Sequence, residues 1–241
     1  MQALILAGGE GARLAADGVA EPKPLAEVAG QPQIVRLATT LRRLGSASVT
    51  AMVRARFAEP VRQSAARAGL DWLRLLPCQT PSSLHTLCAG FSVLPPGPVF
   101  CTMVDTVMRP VDWDRVWAAT RAGLDQGAAL VLAVTGHVDD DTPLWVQRDP
   151  AGYAVAIGAE PVSPACVSGG VYGFSDAARH WAAEALAGGL NRMRAFLGRA
   201  VDQGARIATV EVSRIVDLDR ARDLDAVRRW LDSLEAERSL L

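Results

Sequence analysis

Gly8, Gly9, Gly11, Arg13 and Lys23 are residues whose types and spacing could do chemistry. They lie in Leu6-Ala7-Gly8-Gly9-Glu10-Gly11-Ala12-Arg13-Leu14 and, ten residues after Arg13, in Glu21-Pro22-Lys23-Pro24-Leu25. Glycines let the backbone come close to an anion, and successive amides in a tight turn form an anion-binding concavity. The guanidinium fork of Arg13 suits phosphate oxygens. Pro22 and Pro24 stiffen the chain on either side of Lys23 and fix where its ammonium points. The chemistry is therefore capture of a phosphate. The turn lacks the Gly-x-Gly-x-x-Gly spacing of dinucleotide sites and the Gly-Lys-Ser/Thr of Walker loops.

These residues need a scaffold, and open α/β sheets hold ligands at the carboxyl ends of their strands. Apolar runs at 3–7, 49–53, 73–76, 98–104 and 129–134 read as strands. Between them lie helical patterns at 32–44, 59–68, 82–93 and 113–122, the first with Pro32 in its first turn and Gly45 as its stop. Such alternation predicts βαβ units on a mostly parallel sheet. The pattern changes after residue 134. Segments 144–147 and 153–157 flank Asp149-Pro150-Ala151-Gly152 and predict a hairpin, a small antiparallel excursion. A strand at 167–174, helices at 176–187 and 192–203, a strand at 206–212 and a helix at 223–235 complete the chain.

Half of the 241 residues are hydrophobic, enough for a sizeable core. Lys+Arg 25 against Asp+Glu 26 leaves a net charge of -1, which provides no field for nucleic acid or an anionic membrane. No run of about 18 apolar residues is present, so no membrane span is expected. The apolar stretch at residues 1–9 lacks a basic leader and runs into glycines, unlike a signal peptide. Cys78, Cys88, Cys101 and Cys166 are scattered without metal-ligand spacing and read as buried apolar residues. A reduced, cytoplasmic protein is expected.

Residues 6–14, together with Pro22-Lys23-Pro24-Leu25 and Val28-Ala29-Gly30-Gln31-Pro32, closely resemble the nucleotide-binding signature of the sugar-phosphate nucleotidyltransferases. This is the pyrophosphorylase superfamily that makes nucleotide-sugars. The resemblance implies a Rossmann-like three-layer α/β/α sandwich, formed by one domain over 1–241. Residues 1–134 would be its nucleotide-binding half, and 135–241 its acceptor-binding half with the C-terminal helix. It implies that Leu6, Ala7, Gly8, Gly9 and Gly11 wrap a nucleoside triphosphate, and that Arg13 and Lys23 neutralise it and serve catalysis.

In-line attack on an α-phosphorus asks for positioning and charge neutralisation. A Mg²⁺ held by one or two carboxylates would supply both. Asp105 ends the apolar run 98–104 and resembles the family's first metal-binding aspartate, although Val104 stands where a small residue is usual. Asp217 and Asp219 resemble the late acidic pair, with Arg220-Ala221 in place of Thr-Pro. One of the two is expected to cap the following helix and the other to bind metal, Asp219 being favoured as ligand. Gln79, Ser82 and Ser83 fall where the family reads its base. Either serine reads equally well as a helix cap, and His85 as a packing or hydrogen-bonding residue.

Glu160-Pro161 and Val167-Ser168-Gly169-Gly170-Val171-Tyr172 resemble the acceptor side, with Glu160 and Gly170 matching by position. The lysine that meets the acceptor phosphate in the family is missing, and Arg192 and Arg194 are candidates to replace it or to form a solvated face. Asp139-Asp140-Asp141 reads as a solvated loop. Trp113, Trp117, Trp145, Trp181 and Trp230 read as core positions.

The leading expectation is transfer of a nucleotide from an NTP to a sugar 1-phosphate, giving an NDP-sugar and pyrophosphate. Two alternatives stand beside it: a cytidylyltransferase acting on a phosphorylated alcohol, phosphocholine-like or phosphonate acceptor, and a non-catalytic nucleotide sensor. A molybdopterin-type guanylyltransferase fits the Pro-Lys-Pro-Leu form less well. The sequence leaves room for an oligomer.

Overall fold

The computed structural model describes residues 1–239, and the side chains of residues 1–234. In chain order the strands are β1 (Gln2–Ala7), β2 (Glu27–Val28), β3 (Gln31–Pro32), β4 (Val49–Arg54), β5 (Arg74–Cys78), β6 (Val99–Met103), β7 (Thr106–Val107), β8 (Leu130–Thr135), β9 (Leu144–Arg148), β10 (Ala154–Gly158), β11 (Val167–Phe174), β12 (Ile207–Val212) and β13 (Val216–Asp217). The helices are α1 (Ala12–Ala16), α2 (Gln33–Arg43), α3 (Ala58–Arg67), α4 (Ser83–Val93), α5 (Pro110–Asp125), α6 (Asp176–Ala187), α7 (Met193–Asp202) and α8 (Ala221–Ser239).

Nine strands form one sheet in the order β10-β9-β11-β6-β1-β4-β5, with β8 on β11 and β12 beyond β8. β1 pairs in parallel with β4 and β6, β4 with β5, and β8 with β12. β11 runs antiparallel to β6, β8 and β9, and β10 antiparallel to β9. Seven strands therefore share one direction and only β10 and β11 are reversed, which bears out the mostly parallel α/β sheet with its antiparallel excursion.

Two apolar cores lie on opposite faces of the sheet. Along β1, Ala3, Ile5 and Ala7 join Ile34, Leu37, Val61 and Trp113 of α2, α3 and α5. Leu4 and Leu6 join Leu84, Ala178 and Phe196 of α4, α6 and α7. The alternation follows from the period of two in a strand. Helices thus cover both faces, as a three-layer sandwich requires.

A third, smaller core shapes the site. Leu14, Val28, Val107, Val216, Leu218, Leu224 and Val227 pack together, so α8 returns from the far end of the chain to the segment after β1. The sheet also forks there. The C-terminal half of β11 lies between β6 and β8, and its N-terminal half between β8 and β9, with a register shift between Ser168 and Tyr172. Gly170 sits inside that irregularity at φ +68, and a Cβ there would stand 2.4 Å from Thr106 Oγ1. Backbone and close approach both call for glycine.

Trp113 and Trp117 are buried as expected, but Trp181 is 37% exposed, because α6 turns its alanines (Ala178, Ala182, Ala185) to the core instead.

Candidate functional site

β1 runs at the centre of the parallel strands, so its carboxyl end opens where two neighbouring strands also end. Gly11 follows as the left-handed N-cap of α1, at φ 67. Lys23 opens a short 3-10 turn between its two prolines. Its Nζ donates to Asp105 Oδ2 at 2.6 Å and also to Asp219 Oδ1. Arg13 Nη1 donates to the other oxygen, Asp219 Oδ2, at 2.8 Å. Burial opposes the charge on Lys23, but the Asp105 and Asp219 carboxylates outweigh it and hold the ammonium above its ordinary range. Burial likewise opposes the charge on Asp219, and Lys23 and Arg13 reverse that and hold its carboxyl below its usual range.

Asp217 arrives by strand pairing. β13 lies antiparallel to β7 with Asp217 opposite Thr106, beside Asp105. Leu218 N donates to Asp105 O at 3.0 Å, and Thr106 Oγ1 donates to Asp217 Oδ1 at 3.1 Å. Burial and the neighbouring Asp105 push the Asp217 carboxyl up to about 8. Gln33, wholly buried on α2, steadies this corner by donating from Nε2 to Thr106 O at 2.9 Å.

Two cavities meet here and share Ser83 and Met103. One, of about 160 Å³, is lined by Leu6, Gly8, Gly9, Glu10, Arg54 and Ser82 among others. The other, of about 230 Å³, holds Asp105, Asp217, Asp219, Gly170, Arg192 and Arg194 together. Most of the expected residues are thus gathered around one cleft. Ala7 is buried under the turn rather than facing the cleft. Gln79 and Glu160 are exposed and line neither cavity, Glu160 because it follows the hairpin strand β10 at the outer edge of the sheet.

Ser82 is the N-cap of α4. Its Oγ accepts from His85 N and lies 2.8 Å from His85 Nδ1, which leaves Ser83 to face both cavities. His85 is a hydrogen-bonding residue, as expected.

Neither Asp217 nor Asp219 caps α8, contrary to the expectation that one would. Asp223 Oδ2 accepts from Asp219 N at 3.0 Å and Arg220 N at 2.7 Å, while Asp17 Oδ2 accepts from Ala221 N at 3.1 Å. The helix start is served from its own first turn and from Asp17 just after α1, so both acids keep their carboxylates for the cleft. Nor is the loop Asp139-Asp140-Asp141 simply solvated. Asp141 pairs with Arg222 at 2.9 Å, Asp139 with Arg214 at 3.7 Å, and Asp140 lines the larger cavity.

Among the described residues no three His, Cys, Asp or Glu are gathered as a metal-binding cluster. The donors nevertheless fit Mg²⁺, which takes hard oxygens from one or two carboxylates and fills its shell with water and phosphate. Asp105, Asp217 and Asp219 share one cavity, and a cation, the Lys23 ammonium, already sits between two of them.

Arg54 went unnoticed in the sequence. It ends β4 beside β1, and its Nη1 donates to Thr80 O at 3.0 Å and Gly8 O at 3.5 Å. A basic residue closing a buried strand at the ligand-binding end of the sheet was the available signal.

Comparison with known proteins adds an independent view. The profile of the MobA-like NTP transferase domain matches residues 3–200. No curated protein matches the chain. Among solved structures, the inositol-1-phosphate CTP transferase from T. maritima superposes with a TM-score of 0.76 at 15% identity, covering 94% of this chain and 96% of that one. At that identity the likeness speaks to the fold. Asp217 and Asp219 lie outside the matched 3–200 and join the cleft through β13 and α8.

Proposed function

Because the chain belongs to the MobA-like NTP transferase domain family and is a nucleotidyltransferase, we propose that it joins an NTP to a phosphorylated small-molecule acceptor in the cleft at the end of β1. The pairing of Arg13 and Lys23 with Asp105 and Asp219, which line one cavity together with Asp217 next to the cavity of the glycine turn, carries this reading. Gly9 supports it. Its φ is not in the left-handed region and a Cβ there would touch nothing within 4 Å, so the fold does not require glycine. A phosphate drawn close to the backbone would.

The turn amides bind the triphosphate, and Arg13 and Lys23 leave their carboxylates to neutralise the β- and γ-phosphates. An acceptor phosphate oxygen attacks the α-phosphorus in line. The new P–O bond forms as the bond to the α,β-bridging oxygen breaks, and pyrophosphate leaves with that oxygen. Mg²⁺ held by Asp105 with Asp217 or Asp219 would supply charge neutralisation at the reacting phosphate. Arg192 and Arg194 bind the acceptor's phosphate from the opposite wall, in place of the missing lysine. We read the chain as one domain, with the nucleotide handled by 1–134 and the acceptor by 135–241. No helix among the described residues is long and apolar enough to cross a membrane, and the four free cysteines suit a reducing cytoplasm.

A sugar 1-phosphate is the first reading of the acceptor. A second, CTP with a phosphorylated alcohol, is favoured by the position of Glu160 outside the cleft and by the activity of the T. maritima neighbour. Pyrophosphate release measured over a grid of NTPs, sugar 1-phosphates, polyol phosphates and phosphocholine separates them. Arg192→Ala and Arg194→Ala together are expected to raise the acceptor KM about ten-fold or more with the NTP KM unchanged. An unaltered acceptor KM would remove these arginines from the mechanism. Absence of turnover with every pair would leave a nucleotide sensor.

A further inference from the structure

Lys23, Arg13 and Arg54 each hold an acid in this structure, but the acids differ in what else they can do. Asp105 and Asp219, which hold Lys23 and Arg13, are also candidate metal ligands. Glu10 is different. It stands inside the glycine turn, with one carboxylate oxygen held by Arg54 and the other 2.5 Å from Arg56 Nη2. Both arginines also reach the turn's backbone, Arg54 at Gly8 O and Arg56 at Glu10 O, 3.4 Å away. Glu10 and Arg54 line the same cavity as Gly8 and Gly9.

The pair is poorly suited to a purely structural role. Glu10 is 45% exposed and Arg56 59%, and ion pairs at such exposure contribute little to stability. Arg54, at 18%, is additionally tied to Thr80 O. A carboxylate and a phosphate compete for the same guanidinium geometry. Two guanidinium groups around one carboxylate leave a net positive charge next to amides that suit an anion.

We infer that Arg54 and Arg56 form a second phosphate-binding pair for the nucleotide, and that Glu10 is a built-in anion which the incoming phosphate displaces from them. This rests on the triphosphate reading of the cleft. Glu10 therefore weakens nucleotide binding, while the two arginines strengthen it. The consequence separates this from a supporting role, in which loss of Glu10 would loosen the turn and weaken binding.

The test is calorimetric titration with Mg²⁺ and inorganic tripolyphosphate, a probe without a base, of wild type, Glu10→Ala, Arg54→Ala, Arg56→Ala and the double variants with Glu10→Ala. Glu10→Ala is expected to tighten binding about two- to five-fold, and Arg54→Ala to weaken it about ten-fold. The Glu10→Ala gain should shrink in either arginine background. Arg54→Ala could also loosen the Thr80 loop, so Arg56→Ala, whose contacts here are with Glu10 and the neighbouring Phe57 ring, serves as the independent check. Glu10→Ala binding the probe as wild type does, or more weakly, overturns the inference. If that happens while Lys23→Ala abolishes binding, the nucleotidyl-transfer reading survives. If wild type binds neither tripolyphosphate nor any NTP, that reading fails first.

Discussion

Lys23 Nζ touches two carboxylates from distant parts of the chain, and in the proposed mechanism the nucleotide's phosphates take it from them. Lys23→Ala and Asp105→Ala are each expected to lower kcat by about a hundred-fold or more, since such groups stabilise charge that develops only in reaction. Both variants should stay folded by circular dichroism, and near-normal turnover in either would remove that residue from the chemistry. Asp217 gives a pH signature. Burial, then Asp105, raises its carboxyl from 3.8 to about 8. Between those values the folded chain holds a proton that the unfolded chain has lost, so stability falls as pH rises across that window. The stabilisation is complete below 3.8 and gone above about 8. In metal-free buffer the thermal midpoint should drop from pH 5 to pH 8. Asp217→Asn should flatten that slope and raise the midpoint at pH 8. An identical slope in the variant would show that Asp217 titrates normally. The sequence made Lys23 and Asp105 visible because prolines flank one and an apolar strand precedes the other. It left Asp217 and Asp219 undivided, since burial of a two-residue strand cannot be read from its two residues.

At the level of elements, the decisive pieces are small. β13 has two residues, yet its pairing with β7 fixes which face of the cleft receives Asp217. The long strands and most helices were legible within a residue or two, because period-two and period-3.6 patterns extend over many positions, whereas α5 and α8 run two to four residues past their expected ends. The fork of β11 was not, since the strand reads as one apolar run and only its three partners reveal the split. The start of α8 shows the same limit. Arg220-Ala221 offers no side-chain cap, and Asp223 and Asp17 take over. Asp223→Ala is expected to cost about 1 kcal/mol, lowering Tm by about 2–4 °C. It should also raise the Mg²⁺ concentration needed for half-maximal turnover, because Asp219 N loses its acceptor. An unchanged midpoint and an unchanged metal requirement would show that α8 starts without this contact.

Across the whole molecule, the two large cores on either face of the sheet are continuous with the strands, whereas the third core joins only the ends of the chain to β2 and β7. Local units with fewer apolar contacts open below the global unfolding free energy. Amides of α8 and of the segment around Leu14 are therefore expected to exchange together and faster than those of β1, β4 and β6. Mg²⁺ with an NTP should slow that set selectively, by mass action on the closed form. Uniform protection throughout the chain would show that the third core is no separate unit.

Local patterns determined the sheet class, the order of the elements, the glycine turn and the nucleotidyltransferase family. Each depends on residues adjacent in the chain or one period apart, where covalent geometry ties type to conformation. Tertiary structure alone decided which acids face the cleft, that Asp223 and Asp17 rather than Asp217 or Asp219 serve α8, that Glu160 stays outside, and that Glu10 is held by Arg54 and Arg56. Apart from the Asp223 contacts, which lie within four residues, those outcomes depend on how segments distant in the chain are brought together, such as Lys23 with Asp219 and Glu10 with Arg54. No pattern within either segment encodes that.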